Sequence, residues 1–130
     1  MNNIHIGDIV VADYNSGVYI GKALEDRRNF MLVEVLAVVK HPTQGDLHNP
    51  GKVEGVAFFE RKALAFREKT NARKRTLKLF SGNIPSYSES LKDAVNSLKK
   101  ELASEDSAYN QAALQRLLGL EEHYYNKIKF

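Results

Sequence analysis

The sequence predicts a mainly β protein with an α-helical end: a small closed barrel over residues 1–83, followed by a C-terminal αα-hairpin over residues 84–130. The two parts are expected to pack as one unit. Three observations carry this reading. The first 80 residues alternate short apolar, β-branched runs with Gly, Asn and Asp turns. After Pro85 the apolar spacing changes from strand-like to helical. A chain of 130 residues buries one real core but is short for two ordinary domains.

The strands follow in order. Ile6 to Ala12 is β-branched and apolar, and Asn15-Ser16-Gly17 supplies turn chemistry. Gly17-Val18-Tyr19-Ile20-Gly21 restarts a strand, its glycines placed as bends of a tight barrel. Asp26-Arg27-Arg28-Asn29 is the next polar connection. Phe30 to Val39 is the longest strand candidate, apolar throughout except Glu34, so both of its faces need cover. A barrel interior covers one half and a docked helical hairpin covers the other. A Gly- and Pro-marked loop spans 41–55. Phe58 to Phe66 reads either as strand, from its aromatics, or as a helical turn, from Ala63-Leu64-Ala65. Arg75 to Phe80 alternates as a strand with Leu77 and Leu79 on one side, and Gly82-Asn83 ends it.

The helices begin at a capping box. In Ser86-Tyr87-Ser88-Glu89 the serine hydroxyl accepts from the amide three residues on, and the glutamate reaches back. Leu91, Ala94, Val95, Leu98 and Leu102 then form one apolar stripe. Ser104-Glu105-Asp106 offers the next cap. Ala108 to Ile128 is expected to be the second helix, burying Ala112, Ala113, Leu117, Leu118, Tyr124 and Ile128. Gly119 weakens it by roughly 1 kcal/mol relative to Ala. Of Tyr124 and Tyr125, one is expected to pack in the hairpin and the other to lie half-exposed.

Composition narrows the function classes. With 43% hydrophobic and 27% charged residues the chain reads as an ordinary soluble globular protein. Cysteine is absent, which excludes disulfides, thiolate zinc sites, a thiol nucleophile and a lipidated cysteine from these residues. The stretch MNNIHIGDIVV has no Lys or Arg before its apolar residues and is broken at Gly7-Asp8. It is expected to be neither signal peptide nor membrane span, and the protein to be cytoplasmic. Net charge is +3 and the isoelectric point about 9.1. The excess concentrates in Arg61, Lys62, Arg67, Lys69, Arg73, Lys74, Arg75 and Lys78, opposed within that span only by Glu68. Such a cluster suits an acidic partner.

The densest chemistry lies in residues 40–67. His41, Gln44, Asp46 and His48 fall within eight positions of a loop stiffened by Pro42 and Pro50. A stiff loop loses little entropy on docking, so these four residues, with Arg61, Lys62 and Arg67 alongside, are the expected partner-binding set. His41, Asp46 and His48 are also zinc or iron ligand types, but their spacing fits no established ligand pattern. Phosphotransfer is disfavoured because neither histidine lies on a predicted helix and no P-loop occurs. Nucleic acid is the rival partner: the basic segment 61–78 with Phe58, Phe59 and Phe66 offers cations for phosphate and rings for stacking.

His41-Pro42-Thr43-Gln44-Gly45-Asp46-Leu47-His48-Asn49-Pro50 and Phe58-Phe59-Glu60-Arg61-Lys62-Ala63-Leu64-Ala65-Phe66-Arg67-Glu68 closely resemble stretches of the kinase-associated protein B family of spore-forming bacilli. The likeness continues through GVYIG at 17–21 and IPSYSESL at 84–91. It implies an SH3-like barrel followed by helices. It also implies a non-enzymatic activator of a membrane-bound sensor histidine kinase that feeds the sporulation phosphorelay. No catalytic residue, metal or cofactor is expected, nor any small-molecule substrate. The partner so implied is the kinase, which would recruit the protein to the inner face of the membrane. The alternative is an SH3-like barrel that binds nucleic acid through 61–78. A homodimer through the helical hairpin is compatible with the sequence.

Overall fold

The computed structural model describes residues 4–45, 52–53, 58 and 60–127. Five antiparallel strands precede two helices, in the order β1 (Ile9–Tyr14), β2 (Gly17–Arg27), β3 (Phe30–Lys40), β4 (Lys69–Arg73), β5 (Lys78–Leu79), α1 (Tyr87–Ala103) and α2 (Ala108–His123). The mixed β-plus-α class expected from the periodicity is therefore found. Across the sheet the strands run β4-β3-β2-β1-β5. The sheet coils, bringing β1 up to β4 although β2 and β3 separate them in the order.

Turn chemistry sets the first two hairpins. Asn15 and Ser16 join β1 to β2 with φ of 45° and 68°. Two successive left-handed residues give the primed turn whose twist matches that of the strands it connects. Arg28, with φ of 63°, makes the corresponding bend between β2 and β3.

Two buried clusters result. Val10, Ala12, Ala23, Met31, Val33, Ala72 and Leu77 fill the inside of the coiled sheet. Tyr19, Val35 and Val38 join Tyr87, Leu91, Ala94, Val95, Leu102, Ala113 and Leu117 between sheet and helices. β3 serves both clusters: Met31 and Val33 enter one, Val35 and Val38 the other. That division is why its sequence is almost continuously apolar. α1 lies directly against β3. One hydrogen bond fixes the join, the Val38 N–H donating to the Ser90 hydroxyl at 2.9 Å.

The capping box is partly realised, since the Ser86 hydroxyl accepts from the Glu89 N–H. Four expectations are corrected. Arg75 to Phe80 is not one strand: Lys74–Thr76 is a single 3-10 turn and only Lys78–Leu79 pairs with β1. Leu77 is fully buried while Leu79 is 62% exposed, so they do not share a face. Phe58 to Phe66 forms neither strand nor helical turn among its described residues. α2 ends at His123 and is capped by Ser107 rather than within 104–106; it buries Leu120, and leaves Leu118 and Tyr124 exposed. Ile128, placed in that helix by the sequence, lies outside the described residues.

Candidate functional site

β3 ends at Lys40, and the chain continues into His41-Pro42-Thr43-Gln44-Gly45. This segment passes under the helices and beside residues 60–65. His41 is 1% exposed and Gln44 2%. Buried polar groups of this kind must find partners, and both do: Gln44 on the backbone, His41 on the Pro42 carbonyl and the Tyr125 hydroxyl. The Gln44 amide nitrogen donates to the carbonyls of Arg61 at 2.9 Å and Pro42 at 3.1 Å. Its oxygen accepts from the Arg61 N–H at 2.9 Å. One side chain thus acts as a ladder rung between two segments that are not strands.

Burial favours the neutral His41 imidazole, and its two neighbours select the tautomer. Nδ1 lies 3.0 Å from the Pro42 carbonyl, which only accepts, so Nδ1 carries the proton. Nε2 then accepts from the Tyr125 hydroxyl at 2.7 Å. That same hydroxyl accepts from the Ala63 N–H at 2.9 Å.

Three further tyrosines complete the arrangement. Tyr19 of β2 accepts from the Leu64 N–H at 3.2 Å. Tyr87, the first residue of α1, donates to the Leu64 carbonyl. Tyr109 of α2 donates to the Gln44 carbonyl at 2.8 Å. Burial pushes all four phenols up, Tyr125 to about 12, so they remain neutral hydroxyls. Gly45 has φ of +99°, and a Cβ there would stand 3.0–3.3 Å from the Phe58 ring. Glycine is therefore demanded twice, by backbone and by space.

The exposed side of this clamp forms a cleft of about 220 Å³ bordered by Tyr14, Asn15, Pro42, Glu60, Arg61 and Lys62. The Lys62 ammonium sits 3.4 Å above the centre of the Tyr124 ring. Arg67 is displayed on a separate turn that docks on β3, its N–H donating to the Val35 carbonyl at 2.7 Å. Its guanidinium lies 3.5 Å from the Glu34 carboxylate and is mostly exposed.

Of the seven residues singled out by the sequence, the structure brings His41, Gln44, Arg61 and Lys62 together. The side chains of His41 and Gln44 face inward and hold the segment in place. Arg67 stands apart from the cleft, and Asp46 and His48 lie outside the described residues. Among the described residues no three His, Asp or Glu side chains gather as a metal site. The four tyrosines were not recognised in sequence as one set. For the three in the helical part, the available signal was a phenol at a helix terminus, where a buried hydroxyl requires a partner.

A sequence profile described as "Kinase associated protein B" matches residues 14–125 of the chain. The chain belongs to the kinase-associated protein B family. It is 39% identical over 127 residues to "Kinase-associated lipoprotein B" of Bacillus subtilis (strain 168), covering 98% of this chain and 99% of that protein. It is also similar to the crystal structure of kinase-associated protein B from Bacillus cereus. There the TM-score is 0.80 at 37% identity, over 94% of this chain and 98% of the other. The word lipoprotein belongs to the Bacillus subtilis relative; the 130 residues here contain no cysteine. Among the described residues no helix is long and apolar enough to cross a membrane.

The buried histidine gives this kinase-associated protein B chain a predictable acid response. Burial lowers the His41 pKa below its ordinary 6.5, against a smaller opposing effect of the Pro42 carbonyl. Below pH 6.5 the unfolded chain therefore binds a proton that the folded chain refuses, and stability falls as pH falls. The contribution is complete above that value and is lost on the way down to the folded pKa. Urea midpoints measured between pH 7.5 and 5 should decline, and His41→Gln should flatten that decline (about the window of an ordinary histidine). Equal slopes in the two proteins would remove His41 as the source.

Proposed function

We propose that this protein is a non-enzymatic binding module that activates a membrane sensor histidine kinase in the sporulation phosphorelay. The family's name supplies the kinase association. The observation that carries the reading is the clamped segment beneath the cleft. Arg61 and Lys62 stand on backbone held at Arg61, Ala63 and Leu64 by buried side chains. Little ordering remains to be done on docking, so charge presented there translates efficiently into affinity. Arg67 and the loop residues Asp46 and His48 extend the contact in this proposal, while His41 and Gln44 shape it from below.

The activating step is preferential binding to one conformation of the kinase, which shifts its population toward autophosphorylation. The acidic partner surface lies on the kinase's cytoplasmic part, which recruits the protein to the inner face of the membrane. The helical part 84–130 and the SH3-like barrel 1–83 act as one unit here, since three of the four tyrosines that hold the cleft come from the helical part.

Calorimetric titration against the cytoplasmic part of a sensor histidine kinase from the same organism tests this. Binding in the micromolar range with faster autophosphorylation is the expected result. Absence of binding at concentrations tenfold higher removes the direct-contact mechanism.

A further inference from the structure

A second surface lies where the turn between β2 and β3 meets β4, adjoining the cleft at Tyr14 and Asn15. Cross-strand register places Arg27 opposite Phe30 and Phe30 opposite Arg73, so the ring stands between two arginines in one row. The Arg73 guanidinium lies 5.3 Å from the centre of the Phe30 ring. On the same face, Arg27 donates to the Asn71 side-chain oxygen at 3.1 Å. The Lys74 N–H donates to the Asn29 carbonyl at 3.0 Å, which fastens the turn to the segment after β4. This contact collects Arg27, Arg28, Arg73, Lys74 and Arg75 at one corner. Glu25 and Asp26 oppose them, paired with Arg27 and Lys74.

Beside this corner is a depression of about 340 Å³ lined by Tyr14, Asn15, Phe30, Asn71, Arg73 and Thr76. Asp13 is its one carboxylate. Flat rings, amide and hydroxyl groups, and cations around a hollow are the elements that recognise an unpaired nucleotide. An anionic membrane needs the charge but not the hollow, and the carboxylates of an acidic peptide, unlike bases, present no flat ring to it. Phe58 and Phe66, the rings nearest the basic segment in sequence, pack instead on Tyr109 and Tyr87 of the helices.

We infer that the Phe30–Arg73 corner binds single-stranded nucleic acid, with one base seated in the depression and the flanking phosphates on Arg28, Arg73 and Arg75. The surface shares Tyr14 and Asn15 with the cleft but no cation, so charge reversals at Arg73 and at Lys62 test the two readings separately.

Fluorescence anisotropy of labelled 12-nucleotide RNA and DNA of mixed sequence tests it, between 50 and 200 mM salt. Micromolar binding at low salt is expected, weakening about fiftyfold across that range if roughly four phosphates are neutralised. Arg73→Glu and Arg75→Glu should each weaken binding at least tenfold, with unchanged circular dichroism melts, and Lys62→Glu should leave it unaltered. Inorganic polyphosphate should compete poorly at equal charge. No binding at 50 mM salt overturns the inference, and so does full activity of both arginine variants. Equal competition by polyphosphate, or stronger binding to phosphatidylglycerol vesicles than to either oligonucleotide, overturns it as well.

Discussion

Gly21→Ala is expected to destabilise the protein by about 3 kcal/mol or more, at the upper end of what overpacking costs. Gly21 is buried in β2 and pairs with Val35 beside a register shift in the β2–β3 ladder. A Cβ there would fall on a methyl of Val33 and stand 2.6 Å from the Glu34 carbonyl oxygen. The methyl can rotate away, but the carbonyl belongs to β3. Relief therefore requires the two longest strands to part. Their separation would disturb both clusters at once, because β3 feeds both. Gly119 provides the contrast. It sits within α2, where an added Cβ would meet, among the described residues, only the end of Glu60 at 3.8 Å. Gly119→Ala should stabilise by roughly 0.5–1 kcal/mol through helix propensity. Urea denaturation of the two variants should move the midpoint in opposite directions; a shared direction would contradict the packing assigned to β2.

The second large effect concerns Gln44. Gln44→Ala removes three hydrogen bonds and leaves the Arg61 N–H and carbonyl without their partner on that side. Each polar group stranded in this way costs about 1–3 kcal/mol, so a loss of about 3 kcal/mol is expected. The Pro42 carbonyl keeps its bond from His41, which limits the damage. Gln44→Glu should be no better. A carboxylate can accept from the Arg61 N–H but cannot donate to either carbonyl, and it carries charge into a buried position. Thr43→Ala is the control. Thr43 is held through its backbone N–H, bonded to the Ser16 hydroxyl at 3.0 Å, and that bond survives the substitution. A Gln44→Ala variant as stable as Thr43→Ala would show that the amide does not hold the two segments together.

Local patterns in the sequence were enough to locate the first three strands, the Ser86 cap and the buried stripe of α1. Each rests on neighbours within a few residues: the Asn15-Ser16-Gly17 turn, the apolar run from Phe30, the Leu91 to Leu102 spacing. β4 was missed because Lys69-Thr70-Asn71-Ala72-Arg73 carries a single small apolar residue, Ala72, to the interior. Its strand form comes from pairing with β3, not from its own pattern. Leu77 and Leu79 alternate as a strand would, but the 3-10 turn at Lys74–Thr76 redirects the chain and separates them. In α2 the stripe holds at Ala113 and Leu117 but took Leu118 in place of Leu120, because Leu117, Leu118 and Leu120 offer two equally apolar faces.

The candidate site was legible as a place but not as an arrangement. The density of functional side chains in 41–45 drew attention to the segment, and the burial of His41 and Gln44 reverses what that density implied about exposure. Their partners explain why no local reading finds this. Gln44 is bonded to Arg61, 17 residues on, and His41 to Tyr125, 84 residues on. The first joins two segments outside any helix or strand, and the second exists only after the helices have docked on the sheet.

In the proposed complex the clamped cleft presents Lys62 to an acidic surface of the kinase. Calorimetric titrations with Lys62→Glu and Lys69→Glu test it most directly, because both reversals change the net charge by the same amount. Lys62 borders the cleft, whereas Lys69 lies on β4, outside its lining. Loss of at least tenfold in affinity for Lys62→Glu, about 1.4 kcal/mol, with Lys69→Glu within twofold of wild type, is the predicted result. Equal weakening by both variants, or by neither, would contradict it.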